Sequence, residues 1–196
     1  GSVKHIQISC RGDFAKVVEA YTGLETLSLR SCRNLDCKEM LSLKSLEMFG
    51  RGHPVYSLGV PPQLEELQMK GMEYPLVPIL SAIRDCSGSL RRLSLERITY
   101  DVSDHKVELI LGSLESFELT KSPDLKVITV VAPRCRVVRL DDCVDLETLT
   151  VDSHVLEELP LDTLLSLRRL HLRKPYPPGL EEASSMWPDL MLTSIE

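Results

Sequence analysis

Five histidines, six cysteines and three adjacent glutamate pairs are the residues whose chemistry deserves a first test. A metal centre needs ligands at short, repeated spacings. His5, His53, His105, His154 and His171 are scattered singly along the chain. Cys10, Cys32, Cys37, Cys86, Cys135 and Cys143 contain no C-x-x-C pair. Such thiols suit reduced, buried positions in an intracellular protein. The pairs Glu65-Glu66, Glu157-Glu158 and Glu181-Glu182 would form a carboxylate dyad only if both members faced one way. Adjacent residues on a strand point to opposite faces, so the first two pairs are expected to divide. No G-x-S-x-G, H-E-x-x-H or phosphate loop occurs. Gly50-Arg51-Gly52-His53-Pro54 reads as a turn, and Arg11-Gly12-Asp13, the tripeptide of integrin ligands, as a turn and helix cap. The expectation is therefore no catalytic residue, no metal, no cofactor and no enzyme.

Any function then belongs to a surface, and a repeat decides what that surface is. In the stretch SLESFELTKSPDLKVITVVAP, residues 113–133, Leu114-Phe117-Leu119 is followed by Leu125-Ile128-Val130 at the same spacing. The phrase L-x-x-L-x-L begins at Val3, Leu24, Leu43, Leu64, Leu90 and Leu114. It continues from Leu125, Cys135, Leu146, Leu156, Leu167 and Trp187. The starts advance by 21, 19, 21, 26 and 24 residues up to Leu114, then by 10 or 11 as far as Leu167. Residues 113–133, 134–154 and 155–175 align without a gap, so one coil is 21 residues long. A single coil buries too few apolar side chains to offset its ordering entropy, whereas stacked coils share one core.

The L-x-L segments alternate as strands do. Residues 75–86 and 104–111 read as short helices on the opposite side, and from Leu125 onward that side reads as extended. Asp13 to Tyr21 reads as an N-terminal capping helix, and LEEASSMW before the end as another, with Trp187 covering the last coil. Two phases fit the main sheet after Leu114. The gapless alignment favours 114, 135 and 156; the 20-residue step from Leu167 to Trp187 favours 125, 146, 167 and 187.

These phrases resemble the leucine-rich repeat. Leu24-Glu-Thr-Leu27-Ser-Leu29-Arg-Ser-Cys32-Arg-Asn-Leu35 is similar to the cysteine-containing repeats of F-box proteins. Ser122-Pro-Asp-Leu125, Ala132-Pro133 and Cys143-Val-Asp-Leu146 are similar to their plant-type repeats. The resemblance implies an α/β, right-handed solenoid with a parallel concave sheet. Its convex side would carry short helices in the N-terminal half and extended segments in the C-terminal half. It implies one domain over residues 3–196, with a cap at 3–22, repeats at 23–175 and a cap at 176–196. Gly1-Ser2 reads as a tag remnant.

The implied function is protein–protein interaction: the substrate-recognition repeats of an F-box ubiquitin-ligase subunit, cytoplasmic or nuclear. A Skp-type adaptor and cullin would bind through a preceding segment. The alternative is a repeat or sensor domain of a larger intracellular receptor or scaffold. In the family, residues between strand leucines face the concave groove, and carried over residue by residue they include Thr26, Ser28, Arg30, Phe49, Lys70 and Arg92. Phe49 is the one large aromatic among them, and Arg30, Lys70, Arg92 and Arg139 are the cations expected to anchor a protein ligand. A net charge of −6 and 5% aromatic content argue against nucleic acid, and the chain lacks the ~18-residue apolar run of a membrane helix.

Overall fold

The structure is a computed structural model that describes residues 4–9, 21, 23–30, 34–50, 57–71, 74–99, 106–180 and 187–195. The helix expected at 13–21, the Arg11-Gly12-Asp13 turn, His53, His105 and most of LEEASSMW lie outside the described residues. The chain forms two compact units, residues 1–101 and 102–196. Each is a parallel β-solenoid.

The first unit runs β1 (His5–Ser9), β2 (Thr26–Arg30), β3 (Asn34–Asp36), β4 (Ser45–Phe49), β5 (Ser57–Gly59), β6 (Glu66–Lys70), β7 (Tyr74–Pro75), α1 (Leu76–Asp85), β8 (Arg92–Glu96) and β9 (Ile98–Thr99). Strands β1, β2, β4, β6 and β8 pair in that order, all parallel and in register. The opposite side carries the short pairs β3–β5 and β7–β9 and the ten-residue α1, where a helix was expected.

The second unit runs β10 (Lys106–Ile110), β11 (Ser116–Thr120), β12 (Val127–Val131), β13 (Val137–Asp141), β14 (Thr148–Asp152), β15 (Arg169–Arg173) and β16 (Met191–Ile195). Both candidate phases are sheets. β11 and β13 pair on one side; β10, β12, β14, β15 and β16 form a five-stranded parallel sheet on the other. Residues 104–111 were expected to be helical, but 106–110 are strand β10, with Val107 and Leu109 buried and Ile110 67% exposed. The outward Ile110 made an alternating strand look like a continuous apolar run. Among the described residues α1 is the only helix of length, so the described chain is overwhelmingly strand and turn rather than a clear alternation of strands and helices.

The leucine phrase lines the interior of both units. Leu24, Leu27 and Leu29, Leu43, Leu46 and Met48, and Leu146, Leu149 and Val151 are buried to 2% exposure or less. Corners are built alike. The leading residue donates its N–H to the carbonyl three residues earlier: Leu43 to Met40, Leu64 to Pro61, Leu125 to Ser122, Cys135 to Ala132 and Leu146 to Cys143. These earlier residues are themselves buried. C-x-x-L and S-x-x-L are thus turns with both ends in the core and two exposed residues between. Side chains tie successive coils through backbone carbonyls: Gln63 Nε2 to Met40, Ser89 Oγ to Leu64, Cys143 Sγ to Leu119 and Thr163 Oγ1 to Leu140.

After β6, β8, β11 and β13 the chain turns through a left-handed residue, at Gly71 (φ 68°), Arg97 (59°), Lys121 (54°) and Asp142 (56°). Only at Gly71 does space also demand glycine, because a Cβ would lie 2.9 Å from the Gly50 carbonyl oxygen. Gly71→Ala is expected to destabilise the fold by about 1–3 kcal/mol. Urea denaturation would show this as a lower midpoint with an unchanged slope.

The β11–β13 sheet ends at Pro160. Val137 bridges Glu158, with Val138 N–H bonding Glu158 O and Glu158 N–H bonding Arg136 O. Two residues on, where the ladder needs its next donor, proline has no N–H.

Candidate binding surface

Outward residues of the first unit's sheet form three rows. Thr26, Ser45, Glu66 and Arg92 make the row at the strand entries. Ser28, Glu47, Gln68 and Ser94 make the middle row. Arg30, Phe49 and Lys70 make the third. Parallel strands stand about 4.8 Å apart, so a half-buried phenyl ring sits between two cationic side chains on a rigid floor. The floor is rigid because Leu29, Met48 and Met69 beneath it are all buried to 1% or less.

Of the five expected anchors, the structure brings together Arg30, Phe49 and Lys70. Arg92 lies at the other end of the strands, four residues or about 13 Å from that row. Its guanidinium is engaged by Glu66, which also accepts from Ser45 Oγ at 3.4 Å. Arg139 belongs to the second unit. Its Nε and Nη2 bond Glu158 Oε1 at 2.9 and 2.8 Å, and the charges of Glu118 and Asp141 add to Glu158 in raising its pKa. Arg92 and Arg139 are thus each paired with a carboxylate of a neighbouring coil.

The acidic pairs divide as expected. Glu65 meets Lys44 at 3.5 Å while Glu66 meets Arg92; Glu157 meets Arg136 at 3.9 Å while Glu158 meets Arg139. Residues just before the strands alternate in charge across the first unit: Lys4, Glu25, Lys44, Glu65, Arg91. Lys4 bonds Glu25 at 2.7 Å, which lowers the Glu25 pKa. Surface pairs of this kind contribute little stability but favour one register over another.

Sequence reading missed the outer face of the five-stranded sheet. It carries Val131, Asp152 and Arg173 in one row and Thr129, Thr150, His171 and Thr193 in the next. The signal was present in the alternate positions of these strands, once both phases are accepted. Arg173 Nε bonds Asp152 Oδ1 at 2.5 Å, and this hydrogen bond holds the carboxyl below its usual range. A depressed folded-state pKa stabilises fully above the unfolded value of 3.8 and loses that contribution as pH falls through the folded value. Asp152→Asn is therefore expected to be less stable than the native chain near neutral pH. The gap should close below about pH 4, as followed by thermal melts along a pH series.

Trp187 is half-buried at the end of the second unit. It walls a recess of about 570 Å³ with Lys126, Glu147, Arg168 and Asp189. Burial pushes the thiols of Cys86, Cys135 and Cys143 up to about 12, 11 and 11, which leaves them protonated and poor nucleophiles. Among the described residues no group of three His, Cys, Asp or Glu side chains is placed to hold a metal ion.

Fold and surface together define a parallel β-solenoid, an architecture compatible with a repeat protein. Comparison with family models, with curated proteins and with solved structures finds no match.

Proposed function

We propose that this chain is a protein-interaction module of the leucine-rich-repeat type that holds a protein or peptide ligand across its first-unit sheet. The observation that carries this reading is the Arg30–Phe49–Lys70 row: an aromatic anchor between two cations, on a floor of fully buried side chains. Such a row suits a segment offering an apolar side chain next to acidic ones, since aromatic and arginine anchors dominate interface energetics. The sequence likeness to F-box repeats supports placing it as the substrate-recognition part of a ubiquitin-ligase subunit in the cytoplasm or nucleus. Catalysis would then belong to partner enzymes.

Affinity capture of the full-length protein from its own cells tests the ligase assignment: cullin and a Skp-type adaptor in the eluate support it, and their absence removes ubiquitin from the account. The surface is tested separately with a captured ligand. Phe49→Ala is expected to cost about 2 kcal/mol, or roughly thirtyfold in affinity, with Lys70→Glu also weakening binding. Unchanged affinity in both folded variants would show that the ligand sits elsewhere.

A further inference from the structure

We propose that the recess beside Trp187 in the second unit binds a small zwitterion with an apolar group: an apolar α-amino acid, or a short peptide with free ends. The recess holds about 570 Å³, within the range of small-molecule sites. It runs across successive corners of the solenoid, from Lys126 through residues 145–147 and 165–168 to residues 187–190. Described coils therefore bound it on both sides.

A slip in register shapes the recess. β16 sets Met191 beside Arg169 and Leu192 beside Leu170. The Trp187-Leu190-Leu192 phrase would instead set Leu192 beside Leu172. Carried back through the corner, the observed register places Asp189 beside Leu167 and Trp187 beside Leu165. Leu125, Leu146 and Leu167 form a buried stack over three coils, and the next place in it holds a carboxylate. Leu165 is 74% exposed, so it and the half-buried indole make an apolar shelf that faces solvent.

The charges around this shelf are of both signs and unpaired. Elsewhere opposite charges on neighbouring coils join, as in Lys4–Glu25, Lys44–Glu65, Arg136–Glu157 and Arg173–Asp152. Lys126, Glu147 and Arg168 stand just before β12, β14 and β15, in the order plus, minus, plus. Among the described residues, neither these three nor Asp145 and Asp189 are joined to an opposite charge. The lining thus offers three carboxylates to an ammonium group and two cations to a carboxylate, next to an aromatic ring. A purely cationic ligand would meet Lys126 and Arg168, and a purely anionic one would meet the three acids. A zwitterion satisfies both sets through charge-assisted hydrogen bonds, while its apolar group covers Leu165 and Trp187.

Trp187 is the only tryptophan of the chain, so its fluorescence reports on the recess directly. L-leucine is expected to change the emission saturably. L-leucinamide, which lacks the carboxylate, and N-acetyl-L-leucine, which lacks the ammonium, should each bind at least about tenfold more weakly. Leucyl-leucine separates the two sources: tighter binding than leucine assigns the recess to peptide ends, and weaker binding assigns it to the free amino acid. Arg168 and Asp189 are exposed, so their variants should keep the native circular dichroism. Arg168→Gln should remove leucine's advantage over leucinamide, and Asp189→Asn its advantage over N-acetyl-leucine. Titration calorimetry of the same compounds reads binding without relying on the indole. The proposal is overturned if neither leucine nor leucyl-leucine binds by either measurement. It is equally overturned if leucine, leucinamide and N-acetyl-leucine bind alike, or if both variants keep the native preference.

Discussion

Phe117→Ala is expected to lower the melting temperature by about 10 °C. Phe117 is 1% exposed in the centre of β11 and is the largest fully buried side chain of the described core. It faces Val138 in register on β13, so a wide residue is followed by a narrow one along the stack. Stacked coils cannot close a hole by sliding, since each is fixed by ladder bonds to the next. Removing a buried phenyl ring costs about 3–5 kcal/mol when the cavity persists. At about 2–4 °C per kcal/mol for a chain of this size, the shift is readily measured by differential scanning calorimetry. Phe117→Leu is expected to cost less, because much of the volume is kept. A fall of less than about 2 °C for the alanine variant would place residue 117 outside the core and the phrase in the wrong register.

The second large effect is expected from Leu149→Asp. Leu149 is fully buried in β14, the middle of the five strands, between Ile128 and Leu170 in register. The substitution forfeits about 2 kcal/mol of apolar burial and buries a polar group with no partner, for about 3–5 kcal/mol in all. Burial raises a carboxyl pKa. The folded form would then hold its proton to higher pH than the unfolded form, so the variant loses stability as pH rises above about 4. Its deficit against the native chain should be smallest in acid. Urea titrations at acidic and neutral pH measure both features. A deficit that does not depend on pH would mean that residue 149 reaches water.

Much of the fold was legible because one spacing recurs. Leu43, Leu46 and Met48 in one coil and Leu146, Leu149 and Val151 in another are all buried at the same spacing, although they lie on different sheets. The choice between phases was a false one: a coil with apolar alternation on both sides forms a sheet on both, as β13 and β14 show. What stayed illegible depends on chain far away. Pro160 ends a sheet only because Glu158 is placed beside Val137. The binding row had the same limit. Phe49 stood out by residue type, but its flanking by Arg30 and Lys70 follows from coils of different length falling into register. Arg92 and Arg139 looked equally available until Glu66, 26 residues away, and Glu158, 19 residues away, were placed against them.

The account rests most on the Phe49 row as the ligand-binding surface. Site-specific photo-crosslinking tests it directly, with a benzophenone side chain at position 49 in one protein and at position 131, on the outer face of β12 in the second unit, in another. Irradiation in native extract should join position 49, and not position 131, to a discrete protein partner, and Lys70→Glu should suppress that product. A partner captured at position 131 alone, or a product at 49 indifferent to Lys70→Glu, would contradict the account.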